Sequence, residues 1–486
     1  MIPIGQILAR LQSHGLLAVP APRLDVAVTG ISDDSREVQA GDLYCAIRGL
    51  VHDGHRFLAD AAAAGAVAAL VEDPQAGLDL PQIRVSDARR AVAIAAQVVF
   101  GEPAAGLRLV GVTGTNGKTT VVHLARHILS RRLPSASIGT LGVVTASGAR
   151  DVTQLTTPAA VDFARLLAEL KEGGVECVVA EVSSHALSQH RVDGVSFEVG
   201  VLTNLSRDHL DYHSDFEDYR ATKWRLAELV AADGTLVINA DEPAWRGLPA
   251  RGRQIRYGLQ AEAEYSARDV SLGAWGSRWT LIGPSDRAGV ELPLLGEFNV
   301  ENALAAAAAA NVFGLDLGTV AEALATVPPV PGRLEVLAQA PLILRDYAHT
   351  PAALRRVLAA LRPLVKGRLI VVFGCGGDRD RGKRPLMGQI AAEGADYTIV
   401  SSDNPRTEPP EAIIAEILPG LGSAPYERIA DRREAIARAI EIAGHEDAVL
   451  LAGKGHESYQ VIGEQRRPFD EAVIVNELLS EGREKA

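Results

Sequence analysis

The chain has 486 residues, of which 47% are hydrophobic and 23% charged, and its formal net charge is −12. This length predicts two to four domains, and the composition is typical of a folded rather than a disordered protein. The acidic balance argues against a protein that binds nucleic acid or an anionic membrane, since both require a basic face. We therefore expect no nucleic-acid partner and no membrane insertion.

The cysteines and the N-terminus point to an intracellular protein. Cys45, Cys177 and Cys375 lie far apart and form no CxxC pair, so we predict free buried thiols rather than disulfides or a zinc site. The first residues lack the pattern of a signal peptide. The alanine-rich stretches at 61–69 and 303–310 are too short to span a bilayer. We expect a cytoplasmic enzyme.

The first two blocks of the chain are separated by a segment that contains proline and glycine. One block runs to about residue 100 and is followed by GEPAAG at 101–106. The next begins with LRLVGV, which predicts a strand that leads into GTNGKTT and a helix over 121–130. Buried strands are predicted at 175–182, 197–205 and 234–239. Strands that alternate with helices predict a parallel, helix-covered sheet.

A third block repeats this alternation after three prolines at 327–333 interrupt regular structure. Its predicted strands lie at 341–347, 367–374, 395–402 and 446–453. Each strand leads into a polar stretch: DYAHTP, GCGGDRD, SSDNPR and AGKGHE. Because ligands of open α/β sheets bind beyond the carboxyl ends of the strands, we predict that these four loops form one shared site.

The most specific single motif is GVTGTNGKTT at 111–120. Its glycines allow backbone N–H groups to surround phosphate oxygens, and the following helix adds a favourable dipole. Lys118 is expected to reach the β- and γ-phosphates, and the Thr119 hydroxyl can ligate Mg²⁺. Val112 stands where the usual GxxxxGK[ST] spacing has its first glycine. The motif predicts phosphate binding, but kinases, motors, switches and ligases share it.

Three further residues are candidates for the metal side of this site. Glu181 ends the predicted strand 175–182, and His209 follows the strand 197–205. A carboxylate suits Mg²⁺, whereas histidine is a less usual ligand, so a packed or surface histidine remains an alternative for His209. Lys223 lies in a helical pattern, and its residue type and position alone predict a solvated surface lysine.

Ten motifs together resemble a known family over nearly the whole chain. In order they are GVTGTNGKTT, EVSSHAL, TNLSRDHLDYH, ATKWRL, GEFNVENALAA, PGRLE, RDYAHTP, GCGGDRDRGKRP, SDNPR and AGKGHE. This ordered set resembles the Mur ligases of peptidoglycan synthesis, and most closely the members that add diaminopimelate. DDSR at 33–36 and GDLY at 41–44 are similar to the nucleotide-sugar domain of the same family.

The resemblance implies an α/β protein with three domains. These are an N-terminal α/β domain for UDP-MurNAc (1–100), a central P-loop ATPase-type domain with a parallel sheet (101–330) and a C-terminal Rossmann-like amino-acid-binding domain (331–486). The implied reaction is ADP-forming and joins meso-diaminopimelate to UDP-MurNAc-L-Ala-D-Glu through an acyl phosphate. ATP is the implied co-substrate, with two Mg²⁺ ions. We expect a monomer whose product serves cell-wall biogenesis, and through it cell shape and division.

The same resemblance implies the site residues. The implied ATP-binding residues are Gly114, Thr115, Asn116, Gly117, Lys118, Thr119, Thr120, Asn299 and Asn302 near adenine, Arg333 near the phosphates and Asp346 near the ribose. UDP-MurNAc-dipeptide would contact Ser35 in the nucleotide-sugar domain, and Thr156, Thr157, Ser183, Gln189 and Arg191 at its muramoyl-dipeptide part. Diaminopimelate would contact Arg379, Asp403, Asn404, Arg406, Gly453 and Glu457. Mg²⁺ would be held by Thr119, Glu181, His209 and Lys223, the last as a carbamate (N6-carboxylysine). The implied catalytic residues are Lys118, Lys223, His209 and Glu181.

Three alternatives stand beside this interpretation: a lysine-adding Mur ligase, a ligase like folylpolyglutamate synthetase, and a P-loop switch or transport protein. The N-terminal block has no role in a folate ligase, whose substrate carries no UDP. The DNPR stretch at 403–406 is either a surface turn or the loop that distinguishes diaminopimelate from lysine. Diaminopimelate carries an additional carboxylate, which Arg406 could bind bidentately.

Overall fold

The computed structural model describes residues 1–19, 24–49, 52–150, 155–247 and 252–485. Within these ranges, three larger sheets follow one another along the chain, with four, eleven and six strands. Helices alternate with their strands, and most neighbouring strands run parallel. The predicted α/β class is therefore confirmed.

The N-terminal part contains a small, fully parallel sheet in the order β3-β4-β5-β6. Two short antiparallel strands, β1 and β2, lie beside it. Its elements are β1 (Ile2–Pro3), α1 (Ile4–Ser13), β2 (Ala27–Val28), β3 (Gly30–Ser32), β4 (Asp42–Cys45), α2 (Leu58–Ala63), β5 (Ala68–Val71), β6 (Gln82–Arg84) and α3 (Ala88–Val99).

The central sheet has the order β10-β9-β8-β11-β7-β12-β13-β14-β15-β16-β17, and the strands from β8 to β15 are parallel. Its strands are β7 (Arg108–Thr113), β8 (Ser135–Gly139), β9 (Gly142–Thr145), β10 (Gly148–Arg150), β11 (Cys177–Glu181), β12 (Phe197–Leu202), β13 (Val230–Asn239), β14 (Arg253–Gly258), β15 (Tyr265–Gly273), β16 (Gly276–Ile282) and β17 (Arg287–Leu292). Its helices are α4 (Lys118–Leu129), α5 (Ala160–Glu172), α6 (Ser184–Ser188), α7 (Phe216–Glu228), α8 (Glu297–Val312) and α9 (Leu317–Ala325).

Helix α8 explains the alanine run noted in the sequence. Residues 303–310 are almost all alanine and are fully buried, in one hydrophobic core with the inner face of α4 and strands β7, β11 and β12. A helix that is apolar all round belongs in a protein interior, and alanine lets it approach α4 closely. Across the described ranges, we find no helix with both the length and the apolar character needed to cross a membrane.

The C-terminal sheet has the order β18-β19-β23-β20-β21-β22 and is parallel except for β18. A separate hairpin, β24–β25, follows it. The elements are β18 (Glu335–Gln339), β19 (Leu342–Asp346), α10 (Pro351–Leu361), β20 (Leu369–Phe373), α11 (Lys383–Gly394), β21 (Tyr397–Val400), α12 (Pro410–Ile417), β22 (Tyr426–Arg428), α13 (Arg432–Ile442), β23 (Ala448–Ala452), β24 (Tyr459–Ile462), β25 (Gln465–Pro468) and α14 (Glu471–Lys485).

The strands predicted from the sequence are all present in these sheets, with ends that differ by a few residues. The predicted helix over 121–130 starts three residues earlier, because the lysine and the two threonines that follow Gly117 form its first turn. Cys45, Cys177 and Cys375 are free and buried, as predicted. The residues that follow the carboxyl ends of the central and C-terminal strands meet in one cleft, described next.

Candidate active site

The P-loop connects β7 to α4 and is fixed by its neighbour in the sheet. Asn204, which follows β12, accepts hydrogen bonds from two loop amides: Thr115 N donates to its carbonyl at 2.7 Å, and Asn116 N donates to its Oδ1 at 3.0 Å. Lys118 Nζ turns back and donates to the carbonyls of Gly114 and Thr115 at 2.9 and 2.8 Å. The loop therefore holds its lysine at the position where phosphates are expected.

One glycine of this loop permits a close approach between two elements. Gly117 has φ +87°, and a Cβ there would lie 2.5 Å from Oδ1 of Asn302 on α8. Asn302 Nδ2 donates to Asn299 Oδ1 at 3.0 Å, and Asn299 Nδ2 donates to the Leu295 carbonyl at 2.8 Å. Asn302 lines the cleft. Asn299 does not, but it orients the Asn302 side chain through their hydrogen bond.

The cleft around the P-loop has about 1130 Å³ of empty space, its open mouth included. The central part of the chain and the C-terminal part both contribute to its walls. Its lining includes Thr115, Asn116, Gly117, Lys118, Thr119, Thr120, Thr140, Thr156, Glu181, Ser183, Asp208, His209, Asn302, Arg333, Asp346, Tyr347 and His349.

Glu181 lies at the centre of a polar network at the end of β11. The Thr119 hydroxyl donates to Glu181 Oε2 at 3.1 Å, and Thr140 donates to both carboxylate oxygens, from its amide at 2.9 Å and from its hydroxyl at 3.1 Å. The side chain is 1% exposed. A buried carboxylate beside a threonine hydroxyl is a set of hard oxygen donors, which is the chemistry that Mg²⁺ prefers.

Two residues from the C-terminal part close the cleft over the P-loop. Arg333 Nη2 donates to the Thr119 hydroxyl at 3.0 Å, and its guanidinium carbon lies 4.6 Å from the centre of the Tyr347 ring. Asp346, at the end of β19, accepts a hydrogen bond from Leu334 N at 2.7 Å. Arg333 therefore adds a second positive charge beside the P-loop.

Burial raises the pKa of Asp346 from its ordinary value of 3.8 to about 6, although the Arg333 guanidinium favours the charged form. Between about pH 4 and pH 6 the native protein holds a proton on Asp346 that the unfolded chain releases. Asp346 therefore stabilises the native protein below about pH 4, and this stabilisation is lost as the pH rises through about 6. We expect the free energy of unfolding of the native chain, minus that of Asp346→Asn, to fall by about 2–3 kcal/mol between pH 3.5 and pH 7.

This prediction is checked by denaturant unfolding of both proteins across that pH range. Asparagine keeps an acceptor for Leu334 N and does not titrate, so the variant serves as the matched reference. A difference that does not change with pH would contradict the assignment.

Lys223 is not a surface residue, and the prediction from its residue type alone is wrong. The side chain is 1% exposed, its Nζ donates to the Gly114 carbonyl at 2.7 Å, and the same Nζ lies 4.7 Å from the centre of the Tyr219 ring. Helix α7 places Tyr219, Lys223 and Leu226 on the face that packs against the P-loop strand. Burial, with a contribution from the Lys118 ammonium, lowers the pKa of Lys223 well below its ordinary value.

His209 lies on the loop after β12, in a left-handed conformation with φ +53°. Its Nε2 is 3.5 Å from Asp208 Oδ2, and its ring packs edge-on against His185 with centroids 4.8 Å apart. Burial lowers the pKa of His209 to about 3, so the ring is neutral at pH 7. No set of three or more His, Cys, Asp or Glu side chains converges on a common metal position among the described residues.

Five of the six predicted muramoyl-dipeptide residues form one chain of contacts. The Thr157 hydroxyl donates to the Glu181 carbonyl at 2.7 Å and accepts from Ser183 N at 3.0 Å. Arg191 donates to the Thr157 carbonyl at 2.8 Å and, through Nη2, to Gln189 Oε1 at 2.7 Å. Thr156 is linked to this group through Thr140, whose hydroxyl donates to Glu181 and lies 3.3 Å from the Thr156 hydroxyl.

Ser35 lies apart from this group, in the loop after β3 of the N-terminal sheet. Its neighbour Asp33 interacts electrostatically with Arg191, and burial raises the pKa of Asp33. The N-terminal part therefore faces the Arg191 end of the network.

A second cavity adjoins the first, at the carboxyl ends of the C-terminal strands. Residues from all four loops singled out in the sequence line it: Tyr347, His349, Gly376, Arg379, Asp380, Asp403, Asn404, Arg406, Gly453 and Glu457. The structure thus brings the four loops together at one edge of the sheet, as the strand pattern predicts. Four residues line both cavities, namely Asp208, His209, Tyr347 and His349.

The second cavity contains both signs of charge. Arg406 is partly buried and donates from Nη1 to the Gly377 carbonyl at 2.8 Å. Burial and the neighbouring Arg379 guanidinium lower the pKa of Arg406. Asn404 Nδ2 donates to Glu457 Oε2 at 2.8 Å. An arginine pair thus lies beside carboxylates and an amide, an arrangement that suits an amino-acid head group.

Several residues of the site were not assigned from the sequence. Asp208 and His349 lie in motifs that were recognised, and both line the boundary of the two cavities. Lys383 Nζ donates to the His349 carbonyl at 2.9 Å, and Arg207 pairs with Asp380 at 3.8 Å across the two halves of the site. The charged stretches SRDH and DRDRGK were the available signal, but their spacing does not show which residues point inward.

Three family models match successive parts of the chain: "Mur ligase family, catalytic domain" at 27–105, "Mur ligase middle domain" at 112–310 and "Mur ligase, glutamate ligase domain" at 332–455. The UDP-N-acetylmuramoyl-L-alanyl-D-glutamate–2,6-diaminopimelate ligase of Gloeobacter violaceus is 44% identical over 95% of this chain and 96% of that protein. The chain belongs to the Mur ligase family. The protein of the same name from Syntrophomonas wolfei is 42% identical, over 94% of this chain and 95% of that protein.

Solved structures of Mur ligases and of a related enzyme resemble the fold of this chain. A UDP-N-acetylmuramoyl-L-alanyl-D-glutamate–2,6-diaminopimelate ligase has a TM-score of 0.68 and 36% identity, over 95% of this chain and 98% of that one. The MurF ligase from Thermotoga maritima in complex with ADP has a TM-score of 0.67 at 20% identity, over 95% of this chain and 100% of that one. A folylpolyglutamate synthase from Mycobacterium tuberculosis covers only 75% of this chain, at 19% identity and a TM-score of 0.64. The last two show a shared fold alone.

Proposed function

We propose that this Mur ligase joins meso-diaminopimelate to the γ-carboxylate of D-glutamate in UDP-MurNAc-L-Ala-D-Glu, with conversion of ATP to ADP and phosphate. One observation carries the proposal. The P-loop cleft and the arginine-containing second cavity share a wall of four residues, Asp208, His209, Tyr347 and His349. A carboxylate activated by phosphoryl transfer in the first cavity would therefore lie next to an amine held in the second.

The chemistry requires activation, because a carboxylate and an amine do not condense in water when hydroxide is the leaving group. The γ-phosphoryl of ATP is transferred to the D-glutamyl carboxylate, and ADP leaves. The neutral amine of diaminopimelate then attacks the acyl phosphate, and phosphate leaves as the amide forms with loss of one amine proton. Lys118 and Arg333, which both line the cleft, stabilise the charge on the transferred group.

The hydrogen-bond network at the end of β11 positions the acceptor carboxylate in this proposal. Thr156, Thr157, Ser183, Gln189 and Arg191 are the residues that we assign to the muramoyl-dipeptide, and Ser35 is assigned to its UDP end. Their mutual hydrogen bonds fix the edge of the cleft before substrate arrives. Pre-formed geometry of this kind lowers the entropic cost of bringing two anionic substrates together.

The proposed function includes two Mg²⁺ ions. Thr119 and Glu181 supply hard oxygens at one position, and His209 and Lys223, as a carbamate, would complete the second. Mg²⁺ would supply charge neutralisation for the phosphates and the attacking carboxylate. The surroundings of Lys223 support this role: the side chain is buried, lies near the Lys118 cation and donates to the Gly114 carbonyl. A neutral amine there can combine with CO₂, and the resulting anion would remove the like-charge contact with Lys118.

The amino-acid specificity is assigned to the second cavity. Arg379 and Arg406 would bind the distal carboxylate of diaminopimelate, and Asp403, Asn404, Gly453 and Glu457 would surround its ammonium. A lysine side chain lacks that carboxylate and would leave two guanidinium groups without an anion. The full-length similarity to proteins named as diaminopimelate ligases favours this assignment over a lysine-adding enzyme, a folate ligase or a switch.

The proposal extends to the organisation of the whole chain. We assign residues 1–100 to the UDP-MurNAc-binding domain, 101–330 to the ATP-binding domain and 331–486 to the amino-acid-binding domain. Each interval contains one of the three larger sheets. We further propose that the protein acts as a monomer in the cytoplasm.

A product assay tests the function. The purified protein receives ATP, Mg²⁺ and UDP-MurNAc-L-Ala-D-Glu, with meso-diaminopimelate, L-lysine and L-ornithine present together, and the products are separated by mass. We expect the diaminopimelate tripeptide to predominate and ADP formation to require both the nucleotide-peptide and the amine. Preference for lysine would contradict the assigned amine, and ADP formation that is indifferent to both substrates would contradict the ligase assignment.

A further inference from the structure

The hairpin β24–β25 lies beside the loop that carries Asp403 and Arg406. The match to the glutamate ligase domain model ends at residue 455, so this hairpin is outside the part of the chain that the model covers. β24 forms an isolated parallel bridge, in which Ile462 pairs with Arg406. β24 therefore pairs with the loop at Arg406 and not with the six-stranded sheet.

Backbone hydrogen bonds join the two segments on both sides of Arg406. Arg406 N donates to the Val461 carbonyl at 3.0 Å, and Gly463 N donates to the Arg406 carbonyl at 2.7 Å. Arg406 has φ +52°, a conformation that is uncommon for residues other than glycine. Both polar backbone groups of this residue are thus held by the hairpin, one by β24 and one by the turn that follows it, which compensates for an unfavourable backbone conformation.

A buried side chain makes the second connection. Gln460 is 9% exposed, and its Nε2 donates to the Asp403 carbonyl at 2.7 Å and to the Ser402 hydroxyl at 3.3 Å. The next residue, Val461, donates from its amide to Asn404 Oδ1 at 2.9 Å. Adjacent residues of β24 therefore fix the main chain at Asp403 and the side-chain orientation of Asn404.

From these contacts we infer that Gln460 is a positioning residue for the amine site. It touches neither the amine nor the nucleotide in the proposed function, on which this inference rests. Its amide sets where the Asp403–Arg406 loop lies relative to Arg379 and Glu457, and hence how well the cavity fits a head group with both a carboxylate and an ammonium. Displacement of such groups by about 1 Å can cost on the order of 10²-fold in rate.

The inference makes a selective prediction about substrates. Gln460→Met has a side chain of similar length but no donor for the Asp403 carbonyl. We expect it to raise the KM for meso-diaminopimelate about 10-fold, as for the loss of one hydrogen bond of about 1.4 kcal/mol. The ratio of kcat/KM for diaminopimelate to that for lysine should fall, while the KM values for ATP and UDP-MurNAc-L-Ala-D-Glu stay within about twofold of the native values.

Two further variants separate positioning from packing. Gln465→Met changes the same residue type on β25, where the side chain is exposed and bonds only Arg467 at 3.5 Å, and it should leave all constants unchanged. Gln460→Glu keeps the shape but faces the Asp403 carbonyl with a second acceptor, so its KM for diaminopimelate should rise more than that of Gln460→Met. Circular dichroism and thermal unfolding verify that each variant is folded.

The outcomes distinguish this inference from the function on which it rests. Native protein that makes no diaminopimelate product overturns both. Active native protein with Gln460→Met indistinguishable from Gln465→Met overturns the positioning role alone. Equal losses for ATP and diaminopimelate in Gln460→Met and Gln460→Glu show a general structural role and also overturn it. A selective loss for diaminopimelate supports it.

Discussion

Lys223→Ala is expected to lower kcat by about 10³-fold, and acetate or propionate is expected to restore part of the lost activity. The structure gives the reason: Lys223 is enclosed below the P-loop, with its Nζ 2.7 Å from the Gly114 carbonyl. If the working form is a carbamate, the variant loses an anion beside the phosphates, and removal of one preorganised charge of this kind costs about 10²–10³-fold or more. The cavity left by the truncation has room for a small carboxylate.

Steady-state assays of phosphate release and of tripeptide product measure this effect. Lys223→Arg keeps a cation and cannot form a carbamate, so it should be as impaired as the alanine variant. Lys366→Ala removes an exposed lysine of the same chain and serves as the control. Native enzyme in CO₂-free buffer should lose activity and regain it when bicarbonate is added. Full activity in Lys223→Arg would show that the ammonium itself is the working form.

Arg406→Ala is expected to raise the KM for meso-diaminopimelate by about 30- to 150-fold, with the KM for ATP changed by less than about threefold. The estimate corresponds to loss of a charge-assisted bidentate contact of about 2–3 kcal/mol. Arginine and alanine both carry a Cβ, so the φ of +52° is equally unfavourable in both, and the substitution reports on the guanidinium rather than on the backbone.

The assay varies each substrate in turn and includes lysine as a competing amine. The preference for diaminopimelate over lysine should shrink, because the group that distinguishes them has been removed. Arg433→Ala is the matched control, since the Arg433 side chain lies in the first turn of α13, is partly exposed and pairs with Glu477 of α14 at 2.7 Å. Equal losses for ATP and diaminopimelate would mean that the loop is structural and does not contact the amine.

The local parts of the site could be predicted from the sequence because short-range patterns determine them. The order strand, glycine-rich loop, GKTT and helix is a property of one continuous stretch of sequence, and the structure has it at 108–129. Glu181 is likewise placed by its position at the end of a buried strand. The four C-terminal loops converge because parallel neighbouring strands end at one edge of a sheet.

The burial of Lys223 could not be predicted from its residue type, although a weak signal existed. Tyr219, Lys223 and Leu226 recur at intervals of four and three along α7, so the lysine lies on the apolar stripe rather than opposite it. The wall shared by the two cavities was beyond local reasoning, because no nearby sequence sets how the central and C-terminal sheets lie against each other. Contacts between residues more than fifty positions apart, such as that between Gln460 and Asp403, have no local signature.

The hydrogen bonds between β24 and the 403–406 loop have a consequence for folding during translation. Translation delivers the P-loop, Glu181, Lys223, Arg333 and Asp346 long before it delivers residues 459–463, and N-terminal domains fold first during synthesis. A nascent chain, or one cleaved after Ser458, would hold every side chain assigned to the nucleotide but would lack the strand that orders Arg406. Such a chain could bind ATP before it can choose its amine, so the selectivity of the ligase depends on a segment that is synthesised after every residue assigned to the nucleotide.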